Sequence, residues 1–220
     1  FAGRFSKTVV PVIFNEGLWG VGTTMYSVFY GRMGDAAVAT MGVCTTINDL
    51  VWVAIFALMN ATAIIVGKAL GAGDRERAYL YAKRMMAGAV ATGVALGLLV
   101  IAVRWPLVNI FSGLSYPVRE KAQFILMLGA LTIWFRAFNT INIVGVLRSG
   151  GDTLFSLCLD VGTLWLVGVT STGLAALVFH WPLEWVYACT FLEEAVKMAV
   201  GIPHFKKKQW MNVLTEQPQG

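Results

Sequence analysis

Seven ionisable side chains sit in stretches of sequence otherwise fit for lipid: Glu16, Asp49, Arg136, Asp160, Glu193, Glu194 and Lys197. A charge at the bilayer centre costs about 2.5–3.5 kcal/mol on insertion scales, so such residues face a bundle interior, a watery cavity or one another. Let side A be the membrane face that holds the N-terminus. The helical rise puts Glu16 and Asp160 about 12 Å from side A, Glu194 about 15 Å and Arg136 about 18 Å. Asp49, at about 30 Å, falls in the opposite half. Separate segments thus contribute to one polar layer. In it the acids Glu16, Asp160, Glu193 and Glu194 exceed the bases Arg136 and Lys197 by two. Protons or cations relieve a negative surplus in a low-dielectric layer. The chemistry expected is therefore reversible uptake of a proton or small cation, with Glu16, Asp160 and Glu194 as the coupling groups.

Local pairing accounts for some of these charges. Glu193 and Lys197 are four residues apart with Glu first, the favourable order for an ion pair on one helix. Arg136 fits a counter-ion role toward Asp160 or Glu194, and Asp49 beside Asn48 fits a polar contact between helices. Glu16 has no base within reach on its own segment, since Arg4 and Lys7 lie too far down it. Five residues before Glu16, Pro11 removes a donor and crowds the preceding turn, which predicts a kink near Lys7 to Pro11. Trp19, Trp52, Trp134 and Trp165 lie deep in their segments. With Asn15, three of them (Trp19, Trp134 and Trp165) form a candidate cavity for a flat organic cation, although core packing explains the tryptophans as well. A sodium ion at Glu16 is the alternative to a proton. No other metal or cofactor is expected, because His180 and His204 fall on opposite sides and Cys44, Cys158 and Cys189 lack ligand spacing. No nucleophile–base pair exists, so the chain does not read as an enzyme.

The elements that must carry these groups are membrane helices. The 220 residues are 57% hydrophobic and 13% charged, against about 25% charged in soluble domains. Six segments, about 8–30, 36–70, 85–103, 122–147, 153–179 and 185–203, meet the length a helix needs to cross a bilayer. The fold class is all-α, a six-helix transmembrane lobe over 1–203 with a basic tail at 204–220. Asp74 in "GAGDRERA" is placed to cap the third helix, and "RWPLVNIFSGLSYP" reads as the longest loop. Side A holds eleven Lys and Arg against four on side B, so side A and both termini are expected in the cytoplasm. The same clustering between apolar runs excludes a nucleic-acid reading of the net charge of +5. Trp105, Trp181, Trp185 and Trp210 read as interface anchors. Ala89, Gly93 and Gly97 form a small-residue face for close helix packing.

Taken in order, "NEGLWGVG", "AVATMGV", "AIIVGKALGAGDRERA", "GVLRSGGDT", the "LD" at Asp160 and "EEAVKMAVGIPHFKKKQWMNVL" resemble the carboxy-terminal lobe of a multidrug and toxic compound extrusion (MATE) transporter of prokaryotic type. The resemblance implies a multi-pass bacterial inner-membrane antiporter. It would expel organic cations or drugs in exchange for protons or sodium ions by alternating access of two lobes. It also implies that Glu16 is the functional carboxylate of the lobe's first helix. Some branches use an Asp in the fourth helix, where this chain reads "IWFRAFN", and that departure favours proton coupling. Family members have about twice as many helices. The chain opens at Phe1, so the expectation is a fragment whose amino-terminal lobe is missing, with a second copy of the chain as the other way to complete the cavity. A non-transporting scaffold is the alternative from another class. The acid surplus argues against a lipid-linked sugar flippase of the same superfamily.

Overall fold

A computed structural model of the chain describes residues 2–111 and 113–212. The described residues form six helices and no strand: α1 Ala2–Arg32, α2 Asp35–Gly71, α3 Arg75–Ile110, α4 Tyr116–Arg148, α5 Thr153–Val178 and α6 Leu183–Lys206. By length and composition α2, α3, α4 and α5 can each cross a membrane. The two outer members of the series, α1 and α6, carry Glu16 and the Glu193, Glu194 and Lys197 cluster. At about 1.5 Å per residue, the 37 residues of α2 exceed the hydrocarbon core, so that helix tilts or protrudes.

Short turns connect the helices. Gly73 at φ 78° and Gly151 at φ 83° adopt the left-handed conformation that glycine takes without steric penalty. Asp74 caps α3 as expected, its side chain accepting a hydrogen bond from the Arg77 amide at 2.9 Å. Several boundaries differ from the sequence reading: α1 is helical from Ala2, α3 from Arg75 and α4 from Tyr116, each earlier than expected. The expected loop after residue 103 is largely helix, because α3 runs through Pro106 to Ile110. Val108 there is fully buried and Leu107 packs on the same cluster, so apolar burial offsets the hydrogen bond that proline forfeits. Pro11, where a kink is expected, lies inside α1, which runs as one helical element from Ala2 to Arg32.

The core falls into two clusters with the polar layer between them. The side B cluster gathers Phe29, Tyr30, Val43, Cys44, Leu126, Val186 and Tyr187. The side A cluster gathers Val66, Leu70, Ala82, Met86, Val146, Leu147, Phe205 and Trp210. Ile13, Leu50, Val53, Leu98, Leu154 and Leu166 point outward and are exposed, as lipid contact requires.

Trp210 is not an interface anchor. It is fully buried, donates to the Phe205 carbonyl at 3.1 Å and fills the space beside Gly150. Lys208, at φ 59°, turns the chain back after α6. It meets Glu76 at 2.9 Å and the Tyr79 ring at 4.5 Å. The division at 203/204 therefore falls inside α6, and the residues that follow it pack onto the lobe. Residues 213–220 of the expected tail lie outside the described residues.

Close packing of α3 on α4 uses the small-residue face. A Cβ on Gly93 would meet the Trp134 backbone, and one on Gly97 the Ala130 carbonyl. Gly97→Val should lower stability by about 1–3 kcal/mol, the usual cost of overpacking. Gly88→Ala, which faces open space, should stay within about 0.5 kcal/mol of the parent. Thermal unfolding in detergent micelles separates the two.

Candidate functional site

Four of the expected ionisable groups, Glu16, Asp160, Glu193 and Lys197, converge in a continuous chain of polar contacts that starts and ends on α1. Glu16 Oε1 meets Arg148 Nη1 at 2.6 Å. Arg148 Nη2 reaches Asp160 Oδ2 at 3.5 Å. Asp160 Oδ1 accepts from Lys197 Nζ at 2.8 Å, and Lys197 meets Glu193 Oε1 at 2.5 Å. Tyr26 then donates to Glu193 Oε2 at 2.8 Å, returning to α1. Asn15, one residue before Glu16, donates to Asp160 Oδ2 at 3.1 Å. The chain alternates in charge, so each buried ion faces an opposite one.

Local backbone features make room for this arrangement. The last eight residues of α4, Ile141–Arg148, are π-helical, as are Leu164–Val169 and Leu174–Val178 in α5. Such wide turns recur at functional positions because they re-aim side chains. Arg148 ends the first of them. Gly168 lies in the second, where a Cβ would collide with both Tyr26 Oη and Glu193. Glycine at 168 is what lets the tyrosine reach the carboxylate.

A second group lies on α4 and α6. Arg136 Nε is 4.0 Å from Glu194 Oε1, which selects Glu194 over Asp160 as its acidic neighbour. Arg136 also donates to Thr190 Oγ1 at 3.1 Å and stands 5.6 Å from the Phe191 ring centroid. Asn139 donates to both the Glu194 carboxylate and its backbone carbonyl. Arg136 and Trp52 line an enclosed cavity of about 10 Å³ between α2, α4 and α6, room for one water at most.

Exposure divides the set. Asp160, Glu193 and Lys197 are buried, and Asn15 is 1% exposed. The Glu16 side chain is 59% exposed and forms the open end of the network. Asp49 is exposed on α2, outside it. The tryptophans are not brought to one place. Trp19 is exposed on α1 one turn from Glu16, and Trp165 donates to the Leu18 carbonyl at 3.2 Å. Trp134 instead backs onto α3 at Gly93 and pairs edge-on with Phe135. Trp52 packs on the side A cluster and against Phe56. An aromatic cavity built jointly by Trp19, Trp134 and Trp165 is therefore absent from this arrangement of the described residues.

Two members of the network, Arg148 and Tyr26, are not apparent from the sequence. Arg148 reads as a side A loop residue because its Cα lies at the very end of α4, outside the polar layer. The available signal was the tight hairpin "RSGGDT", which folds Arg148 back alongside the start of α5 and hence toward Asp160. With Arg148 included, four carboxylates face three bases, leaving one negative charge rather than two.

A helical bundle with four helices long and apolar enough to span a membrane, and with ion pairs buried between helices, is the architecture of a polytopic membrane protein. The chain belongs to the MatE family, whose model matches residues 11–172. Protein DETOXIFICATION 16 of Arabidopsis thaliana is 26% identical over 145 residues, covering 64% of this chain and 29% of that protein. The solved Vibrio cholerae MATE transporter VcmN superposes with a TM-score of 0.87 at 19% identity, over 100% of this chain and 49% of that one. A MOP superfamily transporter from Pyrococcus furiosus superposes with a TM-score of 0.84 at 14% identity, over 96% of this chain and 47% of that one. The chain thus spans about half the length of these solved transporters and under a third of the curated relative.

Removing the cation at the centre of the network should be costly. Lys197→Met leaves Asp160 and Glu193 facing each other's field, and loss of one partner of a buried ion pair typically costs about 3–5 kcal/mol. Adding Glu193→Gln to Lys197→Met should recover part of that loss, read from unfolding midpoints of the purified protein.

Proposed function

We propose that this chain is one six-helix lobe of a secondary antiporter that expels organic cations or drugs as protons flow inward, with Glu16 as the coupling carboxylate. The observation that carries the proposal is the position of Glu16. It is the open acid of a network whose other carboxylates, Asp160 and Glu193, are buried, and its ion-pair partner among the described residues is Arg148. The one unbalanced negative charge of the site supports uptake of one monovalent cation per cycle. A proton on Glu16 would neutralise the surplus without needing coordination space. The guanidinium already in contact with Glu16 disfavours a sodium ion there.

Substrate and coupling ion would compete at this acid. An ionised Glu16 attracts a cationic substrate, and the exposed Trp19, three residues on along the same face, offers an aromatic surface for it. Protonation of Glu16 removes the attraction and favours release. Alternation of this exposed face between the two sides of the membrane would complete the cycle. Asp160, bonded by Lys197, Arg148 and Asn15, serves as an anchor in this scheme. Glu194, tied to Arg136 and Asn139, is a supporting group on the far side of α6. The lobe would work in the bacterial inner membrane with side A in the cytoplasm, the excess of basic residues there supporting that orientation. Half the length of the solved transporters supports a second lobe, or a second copy, against the exposed face of α1.

Dye efflux from proteoliposomes with imposed proton or sodium gradients tests the assignment. Glu16→Gln should reduce gradient-driven efflux to the leak rate of protein-free vesicles and weaken binding of a cationic dye to the detergent-solubilised protein. Normal efflux by Glu16→Gln under either gradient would refute it.

A further inference from the structure

We propose that Arg148 is the positioning residue that converts protonation of Glu16 into release of α1. The proposal rests on the reading of Glu16 as the coupling acid, and it adds the element that senses the change.

Arg148 holds two carboxylates at once, with unequal grips. Its contact with Glu16 is short, at 2.6 Å, and its contact with Asp160 is long, at 3.5 Å. The two acids differ in what else holds them. Asp160 has Lys197 at 2.8 Å and Asn15 at 3.1 Å. Glu16 projects from an exposed position toward Arg148. Among the described residues, the next charges along the network are Lys197 and Glu193 of α6. The guanidinium keeps its charge throughout any physiological cycle, and its side chain is only 13% exposed. It therefore needs a carboxylate at all times.

When a proton from the aqueous side bonds to a Glu16 carboxylate oxygen, the negative charge there is cancelled and an O–H bond forms. No bond of Arg148 breaks, but its charge-assisted hydrogen bond loses its anion. Asp160 is the carboxylate already adjacent, and closing the 3.5 Å contact satisfies the guanidinium with a two-pronged grip. Arg148 thereby lets go of α1 and tightens on α5. Deprotonation reverses the exchange.

The backbone of Arg148 is pinned, which makes the side chain the moving part. Gly151 donates to the Arg148 carbonyl at 3.0 Å and Asp152 to that of Leu147 at 3.0 Å. Ser149 caps back onto Gly145 and Val146. Asp152 is in turn held by His204 of α6. The π-helical end of α4 delivers the guanidinium from this fixed turn to a point between α1 and α5.

The test measures efflux against pH by the complete protein in proteoliposomes, for the parent, Arg148→Lys and Arg148→Met, followed by substrate exchange without a gradient in the Glu16→Gln background. Arg148→Met removes the cation that faces Glu16 and should move the efflux profile to higher pH, and Arg148→Lys, which keeps the charge, should move it less. In Glu16→Gln, Arg148→Lys should cause no further change in exchange, since the acid through which it acts is gone. If Arg148→Met fails to fold, the Lys variant carries both readouts. A pH profile unmoved by the substitutions, or an equal added loss in both backgrounds, overturns the proposal and leaves Arg148 as a brace. That result together with an inactive Glu16→Gln leaves the coupling role of Glu16 standing. Normal gradient-driven efflux by Glu16→Gln removes both.

Discussion

An ammonium group with 5% exposure must be surrounded by acceptors, and Lys197 has two carboxylates within 2.8 Å, Asp160 and Glu193. The desolvation of three charged groups is offset only if this geometry is kept. The requirement propagates outward. Asp160 fixes the register of α5 against α6, and through Asn15 it fixes α1 against α5. Glu193 does the same for the other half of α1 through Tyr26. Between the side A and side B clusters, where apolar packing is interrupted, orientation is set by charge pairing instead. Glu16 is the place where this tightly closed system meets an open surface.

The helical order of the lobe was legible from length and hydropathy, and the polar layer from the helical rise alone. Glu193 and Lys197 announced their pairing by being four apart, and Asp74 its cap by preceding an apolar run. Arg136 had two candidate partners by depth, and side-chain direction chose Glu194. What the sequence did not disclose depends on side-chain reach and on irregular backbone. An arginine at a helix end extends several ångströms beyond its Cα, so Arg148 joins a layer its backbone does not occupy. Tyr26 looks like any aromatic residue in an apolar run until Gly168 opens a path to Glu193. The π-helical turns that aim these groups leave no periodic trace. The tryptophans at positions 19, 134 and 165 share depth but not azimuth, and azimuth depends on how helices pack.

The interior charges and the close contacts divide the labour of holding the bundle. On α3 and α4, Gly93 and Gly97 let backbone approach backbone, giving a dense seam with no need of polar groups. On α1, α5 and α6, polar contacts do more of the work, and α5 departs from regular α-helix twice. A rigid pair of helices beside a set joined by exchangeable ion pairs is a physical basis for motion confined to one side of the lobe.

Trp210 gives the lobe a different outline from the one its helices draw. The indole, fully buried between Phe205 and Gly150, works as a stopper in the side A mouth of the bundle. It is delivered by a bend that carries Lys208 to Glu76 and Tyr79. Gly150 belongs to the same turn that anchors Arg148, so the stopper presses on the hinge from which the guanidinium swings. The packed lobe accordingly reaches past its last helix, with Trp210 and Met211 both buried in its core.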